Sequence, residues 1–131
     1  MTGCPFCRPQ PPEVVLAAGA LAYAILDKYP ASPGHTLVIP YQHTADYFDL
    51  PPAVKQACWE LVDRVKAILV DRFQPAGFNI GINVGPVAGQ TVPHVHIHLI
   101  PRYPGDVPDP TGGVRHVIPG KGNYLRAENG E

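Results

Sequence analysis

The segment of residues 94–98, with the sequence His-Val-His-Ile-His, restricts the fold of this chain more than any other feature. Histidine alternates there with aliphatic residues, and successive side chains of a β-strand point to opposite faces. The three imidazoles therefore share one face of a predicted strand, while the aliphatic side chains are buried on the other. Because the chain has only six histidines, three in register are poorly explained as surface or ordinary core residues.

One long helix and several short strands are predicted around this segment. The helix begins at Pro51-Pro52, where proline suits a first turn and Asp49 lies close enough to help cap it. Its apolar residues recur at spacings of three and four, which predicts about 20 helical residues ending before Pro75. Strands are predicted over residues 21–26, 35–39, 78–84 and 94–100. These elements indicate an α+β domain with a mostly antiparallel sheet.

The size and charge of the chain exclude several classes of protein. Its 131 residues fit one domain, with residues 1–102 as the core and the Gly/Pro-rich residues 103–131 as a tail of the same domain. The formal charge of −1 argues against a nucleic-acid-binding protein, so any phosphate binding is confined to a pocket. No apolar run reaches the roughly 20 residues needed to cross a membrane, and residues 1–8 do not resemble a signal peptide. We expect a cytoplasmic protein.

The three histidines suit two kinds of chemistry. A single metal ion bound by all three is unfavourable, because the backbones of His94 and His98 lie about 13 Å apart on a strand. Two neighbouring histidines could share a metal ion, as in a metallohydrolase. Alternatively, a neutral imidazole carries a free lone pair, so a middle histidine oriented by its neighbours suits a covalent phosphoryl or nucleotidyl intermediate.

Residues 89–102 (GQTVPHVHIHLIPR) resemble the signature of the histidine triad (HIT) superfamily, in which histidine and hydrophobic residues alternate as His-φ-His-φ-His-φ-φ. Residues 33–40 (PGHTLVIP) resemble the upstream strand motif of the same family. The resemblance extends from about Cys4 to Arg102. It implies a HIT-like fold with about five antiparallel strands, one long helix and a short helical segment.

The resemblance implies catalytic roles for four residues. His96 would attack an α-phosphorus and become a nucleotidyl-phosphoramidate, and His98 would contact the phosphate. His35 would support the catalytic strand through a hydrogen bond, and Thr91 would lie near the leaving group. The ending of the motif at Arg102 is more similar to dinucleoside-polyphosphate hydrolases of the fragile-histidine-triad kind than to phosphoramidases.

The resemblance also implies nucleotide-binding residues. Gln90, together with His98, would bind phosphate oxygens, Asn83 would face the nucleotide, and Asp27 would bind the ribose hydroxyls. Outside the family context, the favoured explanation of Asp27 is a turn residue before Tyr29, and the resemblance reverses that preference.

Cys4 and Cys7 form a C-x2-C pair, which is a common half of a zinc site. Such pairs also serve redox chemistry, but a redox pair normally opens a helix, and the prolines that follow Cys7 disfavour one. A reduced, metal-free pair is the other alternative. Zinc-containing bacterial HIT proteins, which this chain resembles, imply His43 and His94 as the remaining ligands of a structural zinc ion.

The expected activity is that of a nucleotidyl hydrolase that releases a nucleoside monophosphate, acting on a dinucleoside polyphosphate. The alternatives are a phosphoramidase or nucleotidyl transferase of the same superfamily, or a nucleotide-binding scaffold without turnover. The resemblance also implies a homodimer whose two sheets join. Trp59, beside the apolar stripe of the helix, fits such an interface, but it is equally explained as a cover for the monomer's own core.

Overall fold

The computed structural model describes residues 3–129, with side chains described as far as residue 126. The chain forms five strands and one long helix, connected by short 3-10 turns. The elements are β1 (Val15–Ala18), β2 (Ala22–Leu26), β3 (Thr36–Pro40), α1 (Pro52–Phe73), β4 (Gly77–Gly81) and β5 (Ile97–Arg102). The strands form one antiparallel sheet in the order β1-β2-β3-β5-β4. The predicted α+β class and five-stranded sheet are confirmed.

Three strand predictions needed correction. The strand expected over residues 78–84 is β4, which ends at Gly81. β1 is not predicted, because its four residues, Val-Leu-Ala-Ala, are too few and too uniformly apolar to show alternation. The histidine segment was expected to be a strand from residue 94, but β5 begins only at Ile97. His94 and His96 therefore precede the strand, and only His98 is paired within the sheet, opposite Leu37 of β3.

Helix α1 covers one face of the sheet. It has 22 residues, and the apolar residues at spacings of three and four are buried. Ile68 follows the same spacing but is only half-buried. The stripe consists of Val54, Cys58, Leu61, Val62, Val65 and Leu69. The expected cap by Asp49 is wrong, since no side chain caps the helix and Pro51 occupies the N-cap position. Pro52, the first residue of the helix, has no main-chain N–H group. The first turn of the helix therefore has one fewer N–H donor that needs a partner.

The sheet has two apolar faces with different partners. Ala24, Val38, Val95, Ile97 and Leu99 pack with the helix in the main core. The opposite face carries a smaller cluster made by Tyr23, Ile25, Leu37 and Ile39, against which Phe6, Val14 and Val15 pack. Alternation along β5 places His98 on this second face, which we call the open face because the helix does not cover it.

The turn that enters β3 requires glycine at position 34. Gly34 has a φ of +89°, and a Cβ atom there would lie 3.0 Å from the Phe73 ring and 3.2 Å from Pro101. The tail after β5 forms 3-10 turns at Gly113–Val117 and Tyr124–Asn129, the first of which contacts β4. Within residues 3–129, no helix has the length and apolar character to cross a membrane.

Candidate active site and metal centre

The histidine segment presents two of its imidazoles side by side at the open face. The rings of His96 and His98 lie 5.1 Å apart between centroids. The alternating residues Val95, Ile97 and Leu99 are buried in the core below and fix the position of the segment. His96 is only 8% exposed, so its imidazole is held at the base of the site.

The two nitrogens of His96 have different environments. Nδ1 lies 2.8 Å from the main-chain carbonyl oxygen of His94, which can only accept a hydrogen bond. Nδ1 therefore carries the proton of the neutral ring, and Nε2 retains a lone pair. This is the protonation pattern that a nucleophilic imidazole needs.

His98 is supported by His35, the residue before β3, and stays neutral at physiological pH. Its Nδ1 lies 3.0 Å from Nε2 of His35, and Asp27 Oδ2 lies 3.4 Å from the same His35 atom. Burial, followed by the neighbouring imidazoles of His96 and His35, lowers the pKa of His98 to about 4. Among the described residues, Nε2 of His98 is buried without a hydrogen-bond partner. This unpaired nitrogen beside His96 indicates a position for a ligand atom.

Asp27 makes the turn contact that the sequence offered as one explanation, and its carboxylate also lies beside the triad. Its Oδ1 accepts a hydrogen bond from the main-chain N–H of Tyr29 at 2.9 Å, which is the expected turn contact. Its Oδ2 faces His35 beside the triad. The carboxylate is thus both a turn residue and part of the site.

The loop before the triad holds the other predicted nucleotide contacts. The amide of Gln90 accepts a hydrogen bond from Gly85 N–H at 2.8 Å and donates to the carbonyl oxygens of Ala45 and Val92. Gln90 therefore fixes the loop, and a phosphate contact by its side chain would require the release of one of these bonds. Asn83 is half-buried beside Gly89, and Thr91 is exposed.

The four predicted metal ligands converge at one end of the site. One ligand atom from each of Cys4, Cys7, His43 and His94 lies within 4.8 Å of the others. Sulfur–nitrogen distances are 3.4 Å for Cys4–His94, 3.1 Å for Cys7–His43 and 3.6 Å for Cys7–His94, and the two Nδ1 atoms lie 3.1 Å apart. Ligands of a tetrahedral zinc ion lie about 3.6 Å (S to N) and about 3.3 Å (N to N) apart.

The surroundings of His94 also fit a metal ligand. Its ring is fully buried, and Nε2 donates to the main-chain carbonyl oxygen of Pro40 at 2.8 Å. The lone pair is therefore on Nδ1, the atom that faces the cysteines, and a hydrogen bond of this kind commonly orients a metal-bound histidine. The cluster could hold a metal ion.

Phe6 is a site residue that the sequence analysis did not identify. Its ring packs edge-on against His94 at 5.8 Å and His96 at 5.1 Å, and its carbonyl oxygen accepts a hydrogen bond from Tyr23. The only available signal was its position between Cys4 and Cys7, where a cluster at the triad would bring it next to the histidines.

A model of the HIT domain family matches residues 8–105. The chain belongs to the HIT family. Residues 94–98 supply the family's three histidines, whereas Cys4 and Cys7 lie outside the matched range.

Several HIT relatives are named for nucleotide chemistry. The AP-4-A phosphorylase of Mycobacterium tuberculosis is 35% identical over 94 residues, covering 71% of this chain and 48% of that protein. The asymmetrical bis(5'-nucleosyl)-tetraphosphatase of Schizosaccharomyces pombe is 41% identical over 86 residues, covering 66% of this chain and 47% of that protein. The chain thus spans about half the length of these curated relatives.

Solved HIT structures share the fold. A Zn-bound histidine triad family protein from Mycobacterium smegmatis superposes with a TM-score of 0.72 at 34% identity, covering 82% of this chain and 85% of that chain. A HIT family protein from Bacillus anthracis gives a TM-score of 0.71 at 35% identity, covering 79% and 76%. The HIT-like fold is confirmed.

Proposed function

We propose that this protein is a nucleotidyl hydrolase that acts at the α-phosphate of a nucleoside phosphate, with dinucleoside polyphosphates as its substrate class. The observation that carries the proposal is the protonation pattern of His96, whose Nδ1 is bound to a carbonyl oxygen so that Nε2 is free to attack. Relatives named for diadenosine and dinucleoside tetraphosphate chemistry support this substrate class.

In the first step, Nε2 of His96 forms a bond to the α-phosphorus, and the bond from phosphorus to the bridging oxygen breaks. The leaving polyphosphate keeps the electron pair of that bond and takes up a proton from solvent. The product on the enzyme is a nucleotidyl-phosphoramidate of His96. A neutral His98 with its proton on Nε2 would donate to a non-bridging oxygen, where negative charge develops.

In the second step, water attacks the phosphorus, and the bond to Nε2 breaks. The nucleoside monophosphate leaves, and the proton lost by the water replaces the one taken by the leaving group. Thr91 is proposed beside the leaving group, and His35 supports His98 through their 3.0 Å contact.

The nucleotide would bind through groups around this centre. Asp27 is proposed to bind the ribose hydroxyls as a two-oxygen acceptor, and Asn83 to face the nucleotide. Gln90 is proposed to act at the phosphate chiefly by holding the loop of residues 85–90, in which the main-chain N–H groups of Gly85, Ala88, Gly89 and Gln90 already donate within the loop.

A second candidate activity is phosphorolysis, supported by the relative named AP-4-A phosphorylase. The first step is unchanged, but inorganic phosphate replaces water in the second, so that a nucleoside diphosphate leaves. This is a nucleotidyl transfer to phosphate, and it uses the same His96 adduct.

We propose that zinc is structural and is bound by Cys4, Cys7, His43 and His94. When bound, the ion supplies a closed coordination shell that ties the N-terminal segment to the triad. Nucleophilic attack is assigned to His96 alone. A metallohydrolase that uses two triad histidines is less well supported. Two groups of described residues could hold a metal ion, this cluster and the group of Asp27, His35 and His98, and each includes only one histidine of the triad.

We further propose a cytoplasmic homodimer that binds neither nucleic acid nor membranes. The free cysteines of a metal cluster fit a reducing compartment, and the charge of −1 does not favour a polyanion. Strand β4 lies at a sheet edge with Ile80 exposed, which suits a sheet that continues into a second copy.

The test is product analysis with diadenosine tetraphosphate and adenosine 5'-monophosphoramidate, each with and without inorganic phosphate and a chelator. We expect the wild type to release AMP from the tetraphosphate in the absence of phosphate. His96→Ala should release no AMP under the same conditions. ADP that appears only with phosphate would select phosphorolysis, and faster release from the phosphoramidate would select a phosphoramidase. Binding without turnover would select the scaffold alternative, and metal-dependent turnover that persists in His96→Ala would select the metallohydrolase.

A further inference from the structure

The loop of residues 31–33 is fastened to the end of β5 by two short hydrogen bonds. The hydroxyl of Ser32 donates to the carbonyl oxygen of Pro101, and the hydroxyl of Tyr103 donates to the carbonyl oxygen of Pro33, both at 2.6 Å. We call these two bonds the loop clamp. In one bond the donor is in the loop, and in the other the donor follows β5. The loop is therefore held against the strand that carries His98.

The strand end is itself braced. The guanidinium of Arg102 makes two hydrogen bonds to the carboxylate of Asp106, at 2.7 and 2.8 Å. The same carboxylate accepts a hydrogen bond from the main-chain N–H of Tyr103 at 3.0 Å. Tyr103 is thereby fixed where its hydroxyl reaches the loop.

The clamped loop presents one main-chain group to the active site. The N–H of Ala31 lies 2.9 Å from Nδ1 of His35. A main-chain N–H can only donate, so Nδ1 of His35 must carry the lone pair. Burial lowers the pKa of His35, which favours a neutral ring. Because Nδ1 accepts from Ala31, the proton of that ring is on Nε2.

The protonation of His98 follows from that of His35. Nε2–H of His35 faces Nδ1 of His98 at 3.0 Å, so Nδ1 of His98 is the acceptor of this bond. The proton of a neutral His98 is then on Nε2, the buried nitrogen without a partner among the described residues. Asp27 Oδ2, 3.4 Å from Nε2 of His35, favours the same tautomer through a longer contact. Without the Ala31 contact, His35 could still adopt the other tautomer in part of the molecules, and His98 would lose the donor that faces the site in those molecules.

We propose that the loop clamp sets the tautomer of the His35–His98 pair, and that Ser32 and Tyr103 are therefore positioning residues for the phosphate-binding donor of His98. The inference rests on the proposed function for its kinetic consequence only. The assignment of the two tautomers depends on hydrogen-bond geometry and is tested separately.

The first test is histidine 15N NMR of the metal-loaded protein near pH 7.5, with rings assigned by His35→Gln and His98→Asn. In the wild type we expect the Nε2–H tautomer for both His35 and His98. In the Ser32→Ala/Tyr103→Phe double variant, His98 should show a mixture of tautomers. An Nδ1–H tautomer of His98 in the wild type would overturn the proposal even if the variant failed to fold. An unchanged His98 signal in a folded double variant would also overturn it.

The second test separates positioning from folding by kinetics. The double variant should lower kcat by about tenfold or more, with the Kd for a non-hydrolysable nucleotide changed by less than about twofold. Tyr124→Phe is the matched control, because Tyr124 is an exposed tail residue whose ring lies against Arg115, and it should retain wild-type kcat. Equal kcat in the double variant and the wild type would overturn the proposal. If the wild type turns over no nucleotide, the proposed function fails, whereas the NMR result still decides the tautomers.

Discussion

Nδ1 of His96 lies 2.8 Å from the carbonyl oxygen of His94, and His94 is also a member of the Cys/His cluster. One residue thus faces the metal centre with its ring and orients the nucleophile with its main chain. Phe6 adds a second connection, since its ring packs on both imidazoles. A change in the cluster is therefore expected to reach His96 without any direct contact between metal and substrate.

Cys4→Ser or Cys7→Ser should remove the bound zinc and destabilise the fold. We expect about one zinc ion per chain in the wild type and a loss of about 3 kcal/mol in the variants, roughly 10 °C in Tm. Metal analysis and thermal unfolding measure both. Cys58→Ala is the matched control, because Cys58 is buried in α1 away from the cluster. It should lose some stability through a small cavity and keep its zinc. Zinc-free wild type of full stability would refute the site.

Lowering the pH should destabilise the protein through His98. Its folded-state pKa of about 4 lies below the ordinary histidine value, so between these values the unfolded chain binds the extra proton. Stability is therefore complete above about pH 7 and falls as the pH drops towards 4. Urea unfolding at pH 7.5 and 5.0 should show a loss about 2 kcal/mol larger in the wild type than in His98→Asn. Equal losses would show that His98 does not titrate in this way.

A charged residue at position 59 should shift the proposed homodimer towards monomer. Trp59 is 38% exposed on α1 and donates a hydrogen bond from Nε1 to the hydroxyl of Tyr47 at 3.1 Å. Trp59→Glu would place a charge in the interface, whereas Trp59→Phe keeps an apolar ring. Light scattering at micromolar concentration checks the assembly. A wild-type monomer under these conditions would contradict the dimer.

His96→Ala should lose turnover but keep nucleotide affinity. The proposed binding contacts are spread over Asp27, Asn83 and the loop held by Gln90, none of which the substitution removes. Calorimetry with a non-hydrolysable dinucleotide should give a Kd within a few-fold of the wild type. A large loss of affinity would mean that His96 holds the ground state rather than the transition state.

Much of this architecture could be predicted from short-range patterns. The alternation at residues 94–98 is a property of one segment, and the three-and-four spacing is a property of α1 alone. Both patterns can therefore be recognised without knowledge of the tertiary structure. β1 was missed because four apolar residues carry no period. The capping by Asp49 was wrong, because proximity in sequence does not determine the direction of a side chain.

The site was less predictable than the fold. The resemblance to the HIT superfamily indicated the residues that could form the cluster, but their convergence depends on the N-terminal segment folding back onto His94. The clamp by Ser32 and Tyr103 joins positions about 70 apart in the chain, and no local pattern marks such a contact. The engagement of Gln90 with three main-chain groups is likewise a property of the folded loop.

The most direct test of the account is to quench the wild-type protein during turnover of diadenosine tetraphosphate and locate the nucleotide by mass spectrometry. We expect an acid-labile AMP adduct on His96 and no adduct in His96→Ala, which should also lose nearly all turnover. An adduct on another residue, or more than a few per cent of wild-type turnover in His96→Ala, would contradict the assignment of His96 as the nucleophile.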